Sequence, residues 1–195
     1  MLASITPLGE RGRGSTWGVT MVAFALAATA AGATAGAAMG AVGRTLFGSG
    51  GGHARLAVLA IAMLVALALD ARPEGAPGPH RQVNERWLDE FRGWVYGLGF
   101  GAQLGVGVTT VVSSAATYAA MLAALESGGA WRGALVLGSF GAVRGLTPLV
   151  AAGVRRPDQL IALHARLDRL RRPAARGGLA ALAALVVVAT AGALA

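Results

Sequence analysis

Apolar residues run along this chain in five long blocks, separated by short polar segments. The blocks predict helices A to E, covering about 17–42, 56–69, 93–125, 131–154 and 178–195. About 20 predominantly apolar residues make one helical crossing of a bilayer. The pattern therefore predicts an all-α, polytopic transmembrane helix bundle of about five membrane helices, with residues 1–195 forming a single integral membrane domain.

Helix B is the shortest block, with an uncharged core at 56–69. At 1.5 Å per residue this core is about 21 Å long, against a hydrocarbon thickness of about 30 Å. It spans only if Arg55 and Asp70 lie at the two interfaces, with Arg55 snorkelling. A re-entrant or interfacial segment is the alternative, and the absence of a helix breaker favours spanning.

Two predicted cytoplasmic loops each carry a short amphipathic helix. The first, within 81–94, places Val83, Trp87, Leu88 and Phe91 on one face. The second, within 157–173, ends at Pro173 and has an apolar stripe of Leu160, Ile161, Leu163, Leu167 and Leu170. Arginines on the polar faces suit an anionic membrane surface. An equally supported alternative is that each helix is a solvent-exposed turn that packs on the helix bundle.

Composition narrows the class of protein. The chain is 55% hydrophobic and only 13% charged, and all 17 of its basic residues are arginine. With so much Ala and Gly, this composition suggests a GC-rich bacterial genome. The net charge of +8 does not indicate nucleic-acid binding, because the arginines flank apolar blocks without interleaved aromatics or a binding motif. The lipid bilayer is the predicted partner.

The arginine distribution predicts the orientation. With the N-terminus inside, thirteen arginines fall in cytoplasmic segments and three in external loops, which leaves Arg144 within helix D. Short loops with this bias follow the positive-inside rule. We therefore expect a multi-pass protein of the bacterial cytoplasmic (inner) membrane, with its N-terminus inside and its C-terminus outside.

Glycines recur at a spacing of four in three predicted helices. Helix C carries Gly93, Gly97, Gly101 and Gly105, helix A carries Gly32, Gly36 and Gly40, and helix D carries Gly141 and Gly145. Small residues at this spacing let helix backbones approach closely. The pattern predicts packing seams, either within the chain or with a membrane-protein partner or a second copy.

Polar residues inside the predicted spans mark the candidate binding site. Arg144 lies in an apolar run, where a charge costs about 2.5–3.5 kcal/mol on insertion scales. It either snorkels to the interface or is held by polar groups, Asp70 being the nearest candidate. Helix C adds a polar stripe of Gln103, Thr110, Ser113, Ser114 and Thr117. These hydroxyls either bond their own helix and bend it mildly, or line a substrate site at a broken helix.

Other chemistry is not indicated. There is no cysteine, so disulfides, thiolate nucleophiles and cysteine-ligated metals are excluded. His53, His80 and His164 lie in predicted loops on different sides of the membrane, which argues against a metal site. We find no catalytic constellation and no cofactor motif, and we do not expect an enzyme.

The stretch "GWVYGLGFGAQLGVGVTTVVSSAATYAAML", with the following "GAWRGALVLGSFGAVRGLTPL", resembles the second half of cytochrome c biogenesis CcdA/DsbD-type membrane proteins, of the LysE-like group. There a glycine-rich helix runs to a break with small or polar residues, then an aromatic. The N-terminal "ITPLGERGRGSTWGVTMVAFALAATAAGATAGAAMG" resembles the same join in the first half. The resemblance implies two inverted three-helix repeats, with the first helix missing here.

One departure limits what the resemblance implies. Redox members of this family use a cysteine pair, one per repeat, whereas this chain has Ser113 and Ser114 in the corresponding region of helix C. Thiol–disulfide exchange by this chain alone is excluded, and only the scaffold is implied. We therefore expect a transporter-like protein that binds or passes a small solute, for which an arginine at the site would favour an anion, or alternatively a non-catalytic membrane subunit that packs with and docks a partner protein.

Reporter fusions test the predicted orientation. Fusions at Gly75 and Arg171 should report the cytoplasm, and fusions at Gly128 and the C-terminus should report the outside, because of the arginine asymmetry. A cytoplasmic C-terminus would contradict five crossings, most simply by removing helix B.

Overall fold

The computed structural model describes residues 5–48, 52–72, 76–78, 86–109, 112 and 114–194 of the chain, and their regular structure is all helical. In this part of the chain the α-helices are α1 (Pro7–Gly12), α2 (Trp17–Phe47), α3 (Gly52–Asp70), α4 (Trp87–Glu90), α5 (Gly93–Val106), α6 (Ala116–Glu126), α7 (Ala130–Leu146) and α8 (Pro157–Leu194). A 3-10 turn at Thr147–Ala151 follows α7. Among the described residues, four stretches are long and apolar enough to cross a membrane: Trp17–Phe47, Gly52–Asp70, Ala130–Ala151 and Pro157–Leu194. The predicted all-α membrane fold is thus confirmed in its coarse form.

Helix α2 is the centre of the bundle, and its partners pack on it through glycine. Along α5, Gly93 and Gly97 lie against Thr20, Gly101 lies against Phe24, and Gly105 lies against Ala28. The two helices therefore run parallel. A Cβ atom added at Gly105 would lie 2.8 Å from the Cα of Ala28, closer than real Cβ atoms come to a backbone atom.

Helix α7 packs on another side of α2 in the opposite direction. Gly133 lies against Gly36, Leu137 against Gly32, and Gly145 against Ala25. The main chain of one helix touches the main chain of the other at these positions, as small residues allow. The predicted seams of all three helices are therefore contacts within this chain.

Predicted helix C is not one helix. It ends at Val106 and resumes as α6 in the same direction along α2, where Leu125 reaches Gly43. The described residues between the two helices, 107–109, 112, 114 and 115, are not helical. Gly107 has a φ of +90°, a conformation that glycine adopts without strain. The hydroxyl of Thr109 donates to the carbonyl of Gln103, and such side-chain bonds compete with helical ones.

Helices α3 and α8 form a second unit, an antiparallel pair. Ala66 near the end of α3 shares a buried apolar cluster with Leu182 of α8, while Leu56 near its start lies beside Gly192. Ala115 and Ala119, at the start of α6, belong to the same cluster. The pair is therefore attached to the α2–α5–α7 unit through α6.

Two expectations about the loop helices are wrong or incomplete. Pro173 lies inside α8, which continues as one helix of 38 residues. The proline removes one backbone donor, and the carbonyl this leaves unpaired, four residues back at Arg169, lies on an exposed stretch where water can satisfy it. In the first loop only Trp87–Glu90 is helical within the described residues, and Val83 lies outside them.

A substitution at Gly101 tests the packing of α5 on α2. Gly101→Leu places a side chain against the main chain of Phe24. We expect folding or assembly in detergent to be lost, because backbone has to move, whereas an ordinary overpacked core loses about 1–3 kcal/mol. Size-exclusion chromatography and thermal unfolding measure this loss.

Two controls accompany Gly101→Leu. Gly18 lies near the start of α2 with open space around its Cβ position, so Gly18→Leu should be mild, and Leu98→Ala on the exposed face of α5 should be mild as well. Equal behaviour of Gly101→Leu and Gly18→Leu would contradict the contact.

Candidate functional site

The interruption between α5 and α6 is held by a carboxylate from another helix. Asp70, the last residue of α3, accepts hydrogen bonds from the hydroxyl of Ser114 at 2.5 Å and from the backbone N–H of Ala115 at 2.7 Å. Ser114 Oγ in turn accepts from the N–H of Ala116 at 3.1 Å. A negative group at a helix start satisfies free donors and complements the helix dipole. Asp70 thus caps α6 from outside it.

Arg144 lies on the α7 side of the same interruption. Its guanidinium lies 5.3 Å from the ring centroid of Phe140, within the range of a cation–π contact. The Phe140 ring faces Gly107, since a Cβ added there would lie 3.3 Å from Phe140 Cε1 and 3.2 Å from Thr117 Cγ2. The Phe140 ring therefore lies beside both Arg144 and Gly107, where the interruption between α5 and α6, called the break below, begins.

The two charges of this region are not paired with each other. Asp70 binds the start of α6, and Arg144 forms no ion pair within the part of the chain that the structure describes. The carbonyl of Arg144 accepts from the hydroxyl of Thr147 at 2.7 Å, where α7 tightens into the 3-10 turn that contains Pro148. The half-buried guanidinium keeps only its aromatic contact among these residues.

The structure places four of the six predicted site residues. Ser114 binds Asp70, Thr117 is buried beside Gly107, Gln103 is half-buried in the last turn of α5, and Arg144 lies on Phe140. Gln103, Thr117 and Arg144 are on helices that border the break, and Ser114 lies within it. Thr110 and Ser113 lie outside the described residues.

A second polar cluster was missed by sequence reasoning. Glu10 of α1 is fully buried and accepts hydrogen bonds from Arg13 Nη2 and Thr20 Oγ1, each at 2.7 Å, and from the hydroxyl of Tyr96. Gly93 leaves the room for this, since a Cβ there would lie 3.0 Å from Glu10 Oε2. One carboxylate thereby joins α1 to α2 and α5.

Arg13 balances the charge of Glu10. Its guanidinium also lies 5.7 Å from the ring centroid of Tyr96. Burial opposes its charge, but the hydrogen bonds with Glu10 and Tyr96 outweigh burial and raise the pKa of Arg13. The buried carboxylate therefore has its counter-charge three residues away in the same segment.

A cleft of about 610 Å³ opens beside the cluster. It lies between the start of α2 and the α4–α5 turn, and its lining includes Arg13, Thr16, Thr20, Arg92 and Gly93. Water therefore reaches the edge of the Glu10 cluster from this side.

A local signal for this cluster is present in the sequence. Thr6 followed by Pro7 is a typical helix start, and Thr6 Oγ1 accepts the N–H of Gly9 at 3.0 Å. Glu10 is also the only acidic residue before Asp70. The segment is short and weakly apolar, so a search for membrane spans passes over it.

Within the described residues no group of three or more His, Cys, Asp or Glu side chains could hold a metal ion. Comparison with protein-family models, curated proteins and solved structures finds no match to this chain. The functional argument therefore rests on the geometry of the site.

Removing the Asp70 side chain tests its capping role. Asp70→Ala leaves the donors of Ser114 and Ala115 without their acceptor, so we expect a loss of about 1–3 kcal/mol, measured by thermal unfolding followed by tryptophan fluorescence. The matched control is Asp158→Ala, whose ion pair with Arg156 is exposed and worth at most about 1 kcal/mol. Equal unfolding temperatures for the two variants would contradict the cap.

Proposed function

We propose that this protein is a transporter-like, multi-pass protein of the bacterial inner membrane that binds or passes a small anionic solute at the break between α5 and α6. The observation that carries the proposal is the interruption of a membrane-length segment, bordered by Asp70 on one side and by Phe140 and Arg144 on the other. Non-helical backbone at membrane depth is tolerated where it is buried in protein or lines a cavity. Discontinuous helices of this kind form substrate sites in many transporters.

The depth of the break supports this placement. Gly105 at the end of α5 and Gly141 of α7 both lie against Ala28 of α2, so the break and Arg144 are level with the N-terminal half of a helix about 46 Å long. The polar groups thus lie well inside the segment that crosses the bilayer. An ionisable side chain at such a depth usually serves a pathway.

The charges favour an anion over a cation. Each carboxylate oxygen of Asp70 already accepts one hydrogen bond, from Ser114 and Ala115, whereas Arg144 has no ion-pair partner among the described residues. Arg stays protonated at any working pH, and its planar fork suits carboxylate or phosphate. An anionic group beside Phe140 would supply the missing partner.

The arrangement of the two helical units supports movement at this site. The break lies where the α2–α5–α7 unit meets the α3–α8 pair. Movement of one unit against another around a central site is the usual route to alternating access. The break in a glycine-rich helix also agrees with the proposed scaffold of CcdA/DsbD-type proteins.

The proposed topology has five crossings. Four are α2, α3, α7 with its 3-10 turn, and α8. The fifth is α5–break–α6, which follows α2 from Thr20 to Gly43. With the N-terminus inside, α1 and the first half of α8 lie in the cytoplasm.

A membrane subunit is the second candidate. The first half of α8 is an exposed helical arm whose Ile161 and Leu170 have 71% and 47% of their surface accessible. In this function the arm docks a partner protein, and the break is only a structural feature.

Substitutions of Arg144 distinguish the two functions. Arg144→Leu should reach normal membrane abundance, because it removes an insertion cost, yet it should lose the activity seen as a phenotype of a deletion strain. Arg144→Lys should impair it too, since Lys lacks the planar fork. Small molecules that co-purify with the native protein should fall on the order of tenfold with Arg144→Leu, given the strength of charged hydrogen bonds.

Arg132→Leu is the matched control, because Arg132 is an exposed arginine near the start of the same helix α7, and it should behave as the native protein. A normal phenotype and unchanged bound molecules for Arg144→Leu would leave Arg144 as a snorkelling anchor and remove the main support for transport.

A further inference from the structure

Residues 5–13, called the strap below, cross one end of the α2–α5–α7 unit. The strap contacts each side of that unit in turn: Trp17 Nε1 donates to the carbonyl of Ile5 at 3.4 Å, Tyr96 and Thr20 donate to Glu10, and the N–H of Leu8 donates to the carbonyl of Val154 at 3.1 Å. Ile5 is the only large apolar strap side chain that is fully buried. Most of its attachment is therefore polar.

If the strap detaches from the bundle, its two paired charges move away together. Glu10 and Arg13 are both strap residues, three apart, and form their ion pair with each other. A buried pair that loses one partner leaves an uncompensated charge, which is strongly destabilising. Here detachment carries both charges into water, and the partners left behind, such as the hydroxyls of Thr20 and Tyr96, are neutral.

A hinge and a route for water adjoin the strap. Gly14 follows it with a φ of +66° and no atom within 4 Å of its Cβ position, so the chain can turn there without steric conflict. The 610 Å³ cleft borders Arg13 and Thr20. Water can replace the hydrogen bonds of Glu10 as the strap moves.

The side chains behind the strap lead towards the break. Ile5 packs in a cluster with Phe24, Tyr96 and Phe100, and Leu104 packs on the same cluster near the end of α5. The cluster is closed by the strap on one side and approaches the break on the other.

We propose that the strap is a detachable closure, with Glu10 as its latch, that controls access to the break from the α1 end of the bundle. The assignment of what it guards rests on the proposed function. Detachment itself can be measured without any solute.

Cysteine labelling tests the closure, because the native chain has no cysteine. Single reporters are Ile5→Cys in the strap, Leu104→Cys behind it, and Leu137→Cys, which is buried in the α2–α7 seam. The probe is a charged maleimide applied to permeabilised cells, where both faces of the membrane are reached. All three reporters should react slowly when the latch is intact.

Removing one of the two hydroxyls that donate to Glu10 should free the strap. With Tyr96→Phe or Thr20→Val, labelling of Ile5→Cys and Leu104→Cys should rise about tenfold or more, because each variant removes a hydrogen bond to a charged group. Labelling of Leu137→Cys should stay slow. Thr34→Val is the matched control, since the Thr34 hydroxyl bonds only its own helix at Ala30.

The outcomes distinguish a detachable closure from a segment that only stabilises the fold. Unchanged labelling of Leu104→Cys in both latch variants would overturn the proposal, as would a parallel rise at Leu137→Cys, which means general loosening. Arg144→Leu should leave all three labelling rates unchanged, so failure of the solute hypothesis would appear only in the binding and growth measurements.

Discussion

Backbone-to-backbone contact along α2 is the constraint on which the rest of this structure depends. Gly32 and Gly36 face α7, while Gly101 and Gly105 bring α5 against Phe24 and Ala28. In a membrane, lipid tails are as apolar as leucine, so helices associate through close packing instead of through burial of apolar surface. A single methyl group on these faces would separate the helices. The α2–α5–α7 unit is therefore held by main-chain contacts, whereas α3 and α8 join it through side chains at the start of α6.

Two carboxylates, of Asp70 and Glu10, obtain their hydrogen-bond donors in different ways. Asp70 is supplied with donors by another helix, at the start of α6, and so ties the second helical unit to the first. Glu10 accepts hydrogen bonds from hydroxyls on α2 and α5, but its counter-charge, Arg13, comes from the end of its own short helix. The first arrangement connects two helical units, whereas in the second both charges belong to one short segment.

The sequence predicts the helices well where apolar length decides, as in α2, α3 and α7 with its 3-10 turn. It also predicts which glycines face other helices, because a spacing of four places them on one side. The interruption of helix C was one of two open alternatives, since Thr109 and the later hydroxyls compete with the helix either by bending it or by ending it. Only the fold shows that Gly107 turns and that Asp70 receives the new helix start.

The errors have local causes. Proline ends most helices, but Pro173 lies on an exposed stretch of α8. Water there can bond the carbonyl that would otherwise accept from the missing N–H. Glu10 was overlooked because its importance depends on Tyr96, 86 positions away, and no periodicity connects the two. Arg144 stands out in the sequence by the cost of inserting a charge into a membrane, but its contact with Phe140, one turn earlier on α7, depends on side-chain direction rather than on spacing.

The Asp70 cap also sets an order of events during synthesis. Its acceptors meet Ser114 and Ala115, which follow 44 and 45 positions later. At about 5–20 residues per second, the ribosome needs roughly 2–9 s to supply them. Until then Asp70 lacks these two donors, so the contact between the end of α3 and the start of α6 forms only once that segment has been made. Glu10 meets Arg13 within about a second at the same rate, but its donor Tyr96 follows 86 positions later, so each carboxylate completes its hydrogen bonds only after later helices have been made.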